Sequence, residues 1–287
     1  MEPYYYQTLS KAEQSSYQAM QAGLQAFAPS FPVPLLENRA LTDVFMKLRL
    51  DCPQLFYAGT FQYRYYPDSR NAELIPAYLF EKGKLKEHQK ALQARVEKLV
   101  RPVARCSDEE KLLYIHDFIC KNVRYDKLKK QYSHEIIGVL GHGVGVCEGI
   151  AKAVKILCDA LQIQCIIALA ENNPEKGVKY RHAWNVVRLD KKYYHLDCTF
   201  DLSLGNPEEI RYDYFLLSDK QIFRDHERLV WRVPACEDAD LHEDGGGAKA
   251  RGAGGEKGKT TAVSLARRLY DKGNRAGISA DFQGRSG

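Results

Sequence analysis

Three residues of the kind that can together open an amide carbonyl stand at Cys147, His182 and Asp197. Cys147 follows a turn containing Gly141, Gly143 and Gly145. It also opens the run CEGIAKAVKILCDALQ, whose Ile150, Val154, Leu157 and Leu161 recur at helical spacing. A thiol at a helix start meets free N–H groups and the positive end of the helix dipole, and both favour the thiolate. The thiolate is the nucleophilic form, so this placement suits covalent catalysis. The glycines let backbone N–H groups around Gly145 and Val146 come close to an acyl oxygen, as an oxyanion site requires.

A thiolate needs a base, and the base needs an orienting group. His182 lies in RHAWN, 35 residues after Cys147, and Asp197 lies in HLDCTFD, 15 residues further on. HAWNVVRLD and KKYYHLDCTF read as two strands joined near Asp190–Lys191. With that turn, His182 faces Thr199 and Asp197 is its diagonal neighbour on the same side of the sheet. One hairpin then holds an imidazole and a carboxylate together, facing the helix that carries Cys147. The carboxylate would fix the tautomer and stabilise the imidazolium.

Each residue has a plainer role open to it. Cys147 could be a buried helix-start thiol, His182 a strand histidine bonded to a carbonyl, and Asp197 a turn cap or the partner of a nearby lysine. His195 is a rival base and Asp201 a rival carboxylate. Trp184 is core packing or a wall beside the imidazole. Glu148 reads as a first-turn helix charge. Tyr125 and Asp126 either line the cleft or end the preceding helix.

The elements around this constellation are legible as well. Ser10 with Glu13, and Ser107 with Glu110, have capping-box spacing. Tyr17, Met20, Leu24 and Phe27 continue the first of these helices, which Pro29, Pro32 and Pro34 end. Leu41, Val44, Phe45 and Leu48 mark a second helix. Phe61, Tyr63 and Tyr65 alternate as in a strand, a turn follows at Pro67–Ser69, and LIPAYLF is the partner strand. A helix from about Lys84 carries Leu85, Leu92, Val96 and Leu99. Leu112, Ile115, Ile119 and Val123 follow the second capping box. Ser133–Leu140 forms one or two further turns, and QCIIALA reads as a buried strand.

Composition bounds the function. Hydrophobic residues are 45% and charged residues 28% of 287, which allows a sizeable core. No window approaches the ~18 apolar residues of a membrane span. The start, MEPYYYQTLSKAEQ, lacks the pattern of a secretory signal. These features exclude a membrane protein, a secreted disulfide miniprotein and a wholly disordered chain, and predict a cytoplasmic protein. The eight cysteines are Cys52, Cys106, Cys120, Cys147, Cys158, Cys165, Cys198 and Cys236. They form no CxxC pair or zinc-site spacing, so reduced thiols and no metal are expected. The net charge is +5, and residues 240–287 contribute +3 of it through nine Lys/Arg against six Asp/Glu. Neither a nucleic-acid partner nor a membrane partner is indicated.

The order Gly145-Val-Cys147-Glu-Gly149-Ile-Ala151, then His182-Ala-Trp184-Asn, then Asp197-Cys-Thr199, resembles the transglutaminase-like superfamily. The upstream NVRYD, with Tyr125 and Asp126, is similar to the helix before the nucleophile in bacterial members. The resemblance covers roughly Ser107 to Phe200. It implies an α+β, papain-like fold in which a nucleophile helix packs on an antiparallel sheet. It also implies Cys147 as nucleophile, His182 as general base and Asp197 as orienting carboxylate. Members include cross-linkers, peptide and glycan-amide hydrolases, and inactive scaffolds, some associated with cytokinesis. The expectation is a cysteine-dependent enzyme on a peptide or protein substrate, hydrolysing rather than cross-linking, without a cofactor. A silent scaffold and a protein-glutamine transamidase are the alternatives, and the oligomeric state stays open. The expected organisation is a helical and β region over 1–104, a catalytic core over 105–238 and a tail over 239–287.

That tail holds eleven of the chain's 21 glycines from residue 240 onward and reads as disordered. Gly258-Lys259-Thr260-Thr261, Leu265-Ala266 and Asp281-Phe-Gln283-Gly284 resemble the start of partition-type Walker ATPases. The loop spacing departs from that pattern and no apolar strand precedes it, so a truncated or fused remnant without ATPase activity is expected.

Overall fold

The computed structural model describes residues 2–205 and 209–237. The glycine-rich tail and its phosphate-loop resemblance lie outside these residues.

The chain opens with α1 (Tyr4–Gln7) and α2 (Lys11–Gln25), followed by β1 (Phe31–Pro34) and α3 (Asn38–Asp51). β2 (Ala58–Tyr65) and β3 (Asn71–Tyr78) form an antiparallel sheet with β1, in the order β1-β3-β2. The run of prolines therefore does more than end α2. Pro32 and Pro34 sit on an edge strand, where a missing N–H costs little. α4 (Lys82–Val100) and α5 (Asp108–Asn122) come next. Both expected capping boxes form, Ser10 with Glu13 at α2 and Ser107 with Glu110 at α5.

α5 stops at Asn122, and Arg124–Tyr125 becomes β4, pairing in parallel with β5 (Val144–Gly145). The segment NVRYD is therefore a helix end followed by a strand. Between β4 and β5 lie a 3₁₀ turn, Gln131–His134, and a π-helical turn, Ile137–Gly141. Gly143 has φ +64°, a left-handed conformation that glycine adopts without strain.

α6 (Cys147–Ala160) packs on β6 (Cys165–Ala170) and β7 (His182–Leu189). Its Ile150, Val154 and Leu157 are fully buried. Each contributes about 1.5–3 kcal/mol, against ~0.3–1 kcal/mol for one charge at a helix end, so packing dominates the placement of α6. β8 (Lys192–Leu196) pairs with β7 through a two-residue turn at Asp190 and Lys191, both with positive φ. The expected strand does not continue through Cys198. It gives way to α7 (Cys198–Leu204), because the Asp197 side chain caps a helix there. β9 (Phe215–Leu217) completes the sheet β6-β7-β8-β9, and α8 (Asp219–Ile222) follows.

One cluster of buried side chains runs from Leu24, Leu48 and Leu74 through Leu112 and Val154 to Leu196. A second gathers Tyr5 and Leu50 with Ile166, Ala168 and Val186 of the sheet and with Ile222 and Cys236. Among the described residues no helix is long and apolar enough to cross a membrane.

Candidate active site

Cys147 is the first residue of α6 and is partly exposed. No side chain caps this helix end. The turn before it is instead held by backbone. Val146 N–H donates to the Ser133 carbonyl at 3.0 Å, and Asp126 N–H donates to the Gly145 carbonyl at 2.9 Å. The Val146 amide is thus already spent, which corrects its expected part in an oxyanion site. Val146 supports the cleft by holding the turn. Gly145 is buried, and a Cβ there would crowd Val139 and Ile150.

His182 begins β7 with its side chain 19% exposed. Its Nε2 lies 2.6 Å from Asp197 Oδ2, and the Cys147 thiol is among the neighbours that act electrostatically on the imidazole. Burial pushes the pKa of this imidazole down. The Asp197 charge and hydrogen bond, with a smaller contribution from Cys147, outweigh that and raise it to about 10. The Trp184 ring stacks on His182 at 5.7 Å and 17°, and Phe200 lies 4.9 Å away. Trp184 is also buried in the core, so it serves both of the roles open to it.

Asp197 is fully buried, and both carboxylate oxygens have partners. Oδ1 accepts from the N–H groups of Thr199 at 2.8 Å and Phe200 at 3.1 Å, as the N-cap of α7. Oδ2 takes His182 and also His226, whose Nε2 is 2.9 Å away. Burial alone would raise the carboxyl pKa, but the two imidazoles hold it well below the usual range.

Sequence reasoning missed His226. It is buried beside Phe200 and Trp184, and its Nδ1 faces Asp225 Oδ1 at 2.8 Å. Tyr214 donates its hydroxyl to the other oxygen of Asp225. The local signal was only Asp225-His226 after a short capping pattern at Ser218 and Gln221.

The rivals sit elsewhere. His195 Nδ1 accepts from Trp184 Nε1–H at 2.9 Å, and its Nε2 faces Asp219 Oδ1 at 2.7 Å. Asp201 Oδ2 faces His116 Nε2 at 2.9 Å inside the core. Tyr125 is 37% exposed. Burial, then the neighbouring Cys147, raises its phenol to about 12. Asp126 accepts from Leu128 N–H, Lys130 N–H and the Ser133 hydroxyl, shaping the loop after β4. Glu148 is more than a first-turn charge. It pairs with Lys152 at 2.7 Å and Arg49 at 3.6 Å.

Two groups hold potential metal donors, His182/Asp197/His226 and His195/Asp219/Cys236. In the first, the His182–Asp197 separation of 2.6 Å is shorter than the ~3.3 Å between donors on a tetrahedral zinc. In the second, the indole N–H occupies His195 Nδ1, so Nε2 carries the proton and has no lone pair to give. Both groups are arranged as hydrogen-bonded chains.

Residues 96–198 match the sequence profile of the transglutaminase-like superfamily. The core is transglutaminase-like. The matched range contains Cys147, His182 and Asp197 and ends before His226. No curated protein matches the chain. Among solved structures, one described as a TGase is 12% identical with a TM-score of 0.34, and covers 50% of this chain and 44% of its own. A candidate cysteine protease from Cytophaga hutchinsonii is 16% identical with a TM-score of 0.32, and covers 49% and 61%. The chain thus spans less than two thirds of either neighbour.

Proposed function

We propose that this chain is a cysteine-dependent acyl-transfer enzyme acting on amide or peptide carbonyls, with hydrolysis as its net reaction. The observation that carries this reading is the 2.6 Å bond between the His182 imidazole and the buried Asp197 carboxylate, on an imidazole whose electrostatic neighbours include the Cys147 thiol. In the proposed cycle the Cys147 sulfur attacks the carbonyl carbon and His182 holds the thiol's proton. Collapse of the tetrahedral intermediate breaks the C–N bond. The leaving nitrogen takes the proton from His182, and a thioester remains on Cys147. Water, deprotonated by His182, then releases the carboxylate and regenerates the thiol. Asp197 keeps the imidazole oriented throughout.

A thiol-directed activity probe on the wild-type chain and on Cys147→Ala tests the nucleophile. Labelling that disappears only in the variant supports the reading. Equal labelling of both proteins overturns it. A peptide-library screen with and without a primary amine then tests the reaction, and amine incorporation would replace hydrolysis by transamidation.

A further inference from the structure

We propose that the mouth of the Cys147 cleft receives an acidic peptide segment carrying an apolar or aromatic residue. This rests on the acyl-transfer reading and names its substrate class.

Two chain segments border the site. One leaves β4 beside Cys147 and runs through residues 126–130, tied to the nucleophile turn by the Asp126 N–H to Gly145 carbonyl bond of 2.9 Å. The other runs through residues 173–181 directly into His182. They meet where Lys129 Nζ lies 3.3 Å from the centre of the Tyr180 ring. Between them, with Arg124 of β4, they expose Lys127, Lys129, Lys130, Lys176, Lys179 and Arg181, against one exposed carboxylate, Glu175. Lys176 is paired with Glu227 and Arg181 with Glu171. Among the described residues, the other five have no carboxylate within ion-pair distance. Asp126, the acid in the first segment, is buried and occupied by the N–H groups of its own loop.

Exposed apolar surface coincides with this charge. Leu128 is 78% exposed and Tyr180 66% exposed, beside Tyr125 at the nucleophile. Scattered exposed lysines ordinarily mark a solvated face. Here two segments distant in sequence bring cations without a carboxylate partner and exposed apolar side chains to the same rim, beside Tyr125, whose phenol neighbours the thiol. Such a rim attracts carboxylates over a range of about 8 Å at physiological salt. It also disfavours the ammonium of an incoming lysine, which agrees with water as the acyl acceptor. Amide-directed chemistry at the centre of the rim favours a peptide over a polynucleotide as its occupant.

Binding is read on Cys147→Ala, which needs no turnover. Rhodamine-labelled Asp-Glu-Phe-Gln-Glu-Asp and Lys-Lys-Phe-Gln-Lys-Lys are compared by anisotropy, with a single-stranded oligonucleotide of equal charge as control. The acidic peptide is expected to bind about tenfold tighter than the basic one at low salt, and the gap to shrink at high salt. Combining Lys127→Glu, Lys129→Glu, Lys130→Glu and Lys179→Glu should abolish or reverse the preference. Urea unfolding of this fourfold variant should match that of Cys147→Ala, so that a lost preference is not a lost fold. Equal affinity for both peptides, no binding of either, or tighter oligonucleotide binding would overturn the proposal. Charge-selective binding without turnover of any peptide would instead sink the catalytic reading and leave the acidic-ligand site standing. Turnover without charge preference would do the reverse.

Discussion

His182 and His226 share a single oxygen of Asp197, Oδ2, at 2.6 and 2.9 Å. The other oxygen is filled by two N–H groups of α7. The carboxylate is therefore held from four directions and cannot rotate without losing a bond to a charged acceptor, worth about 1.5–3 kcal/mol. His226 bonds Asp197 and meets the edge of the His182 ring at 5.3 Å, so it acts through these two residues as a positioning residue. His226→Ala should lower kcat about ten- to a hundredfold with KM nearly unchanged. His226→Gln, which keeps an N–H donor, should recover much of the loss. Equal kcat in the wild type and His226→Ala at matched folded fraction would reduce the residue to core packing.

The pH dependence follows from the same oxygen. The His182 imidazole is raised to about 10, so it stays protonated through neutral pH. Its contribution to stability is complete below the unfolded value of about 6.5 and is lost as pH rises through about 10. Catalysis needs that proton for the leaving nitrogen, so kcat/KM should fall on an alkaline limb near the same pH. Asp197→Asn removes the charge that raises the imidazole. The limb should then move to lower pH, and kcat should drop by roughly 10²–10⁴. A pH–rate profile of both proteins measures the two effects together. An alkaline limb that stays in place in Asp197→Asn would detach Asp197 from the imidazole.

Lys152 tests a different part of the structure. Its ammonium is fully buried, 2.9 Å from both oxygens of Glu135, 2.7 Å from Glu148 and 3.2 Å from the His134 carbonyl. Arg49 of α3 reaches both carboxylates. Together these cations hold Glu148 well below the usual carboxylate range, against the burial that would raise it. The cluster ties the first part of the chain to the turn that presents Cys147. Lys152→Met leaves the buried Glu135 and the half-buried Glu148 to one guanidinium and should cost about 3–5 kcal/mol. Urea unfolding should show a lower midpoint with an unchanged slope.

What could be read in advance divides along physical lines. Capping boxes at Ser10 and Ser107, the apolar stripe of α6 and the turn at Asp190–Lys191 are local signals, and all appear in the structure. The meeting of His182 with Asp197 followed from pairing parity alone. The same parity misread Cys198–Phe200 as strand, because an Asp at a strand end can equally cap a helix, and here it does. His226 and Lys152 carried no periodic signal. A mid-helix lysine looks solvated until Glu135, 17 residues earlier, is folded against it. Likewise a lone Asp-His pair gains meaning only when the chain returns 29 residues later to Asp197. Burial of polar groups depends on tertiary partners, which spacing does not encode.

Gly149 links the motif to the mechanics of the site. It lies in the first turn of α6, and a Cβ there would land inside the contact distance of the Ser133 carbonyl oxygen and press on the His134 backbone. That same carbonyl accepts the Val146 N–H, so it cannot move aside without releasing the turn before Cys147. Gly149→Ala should therefore cost about 1–3 kcal/mol by overpacking. It should also cut kcat more than its effect on the folded fraction explains, because α6 must shift to relieve the clash and carries the sulfur with it. Gly83→Ala is the matched control. Gly83 is also helical but has open space around its Cβ position, and alanine there should stabilise by about 0.5–1 kcal/mol with kcat untouched. If the two variants proved alike in thermal unfolding and in kcat, backbone contact with Ser133 would not be what positions the nucleophile.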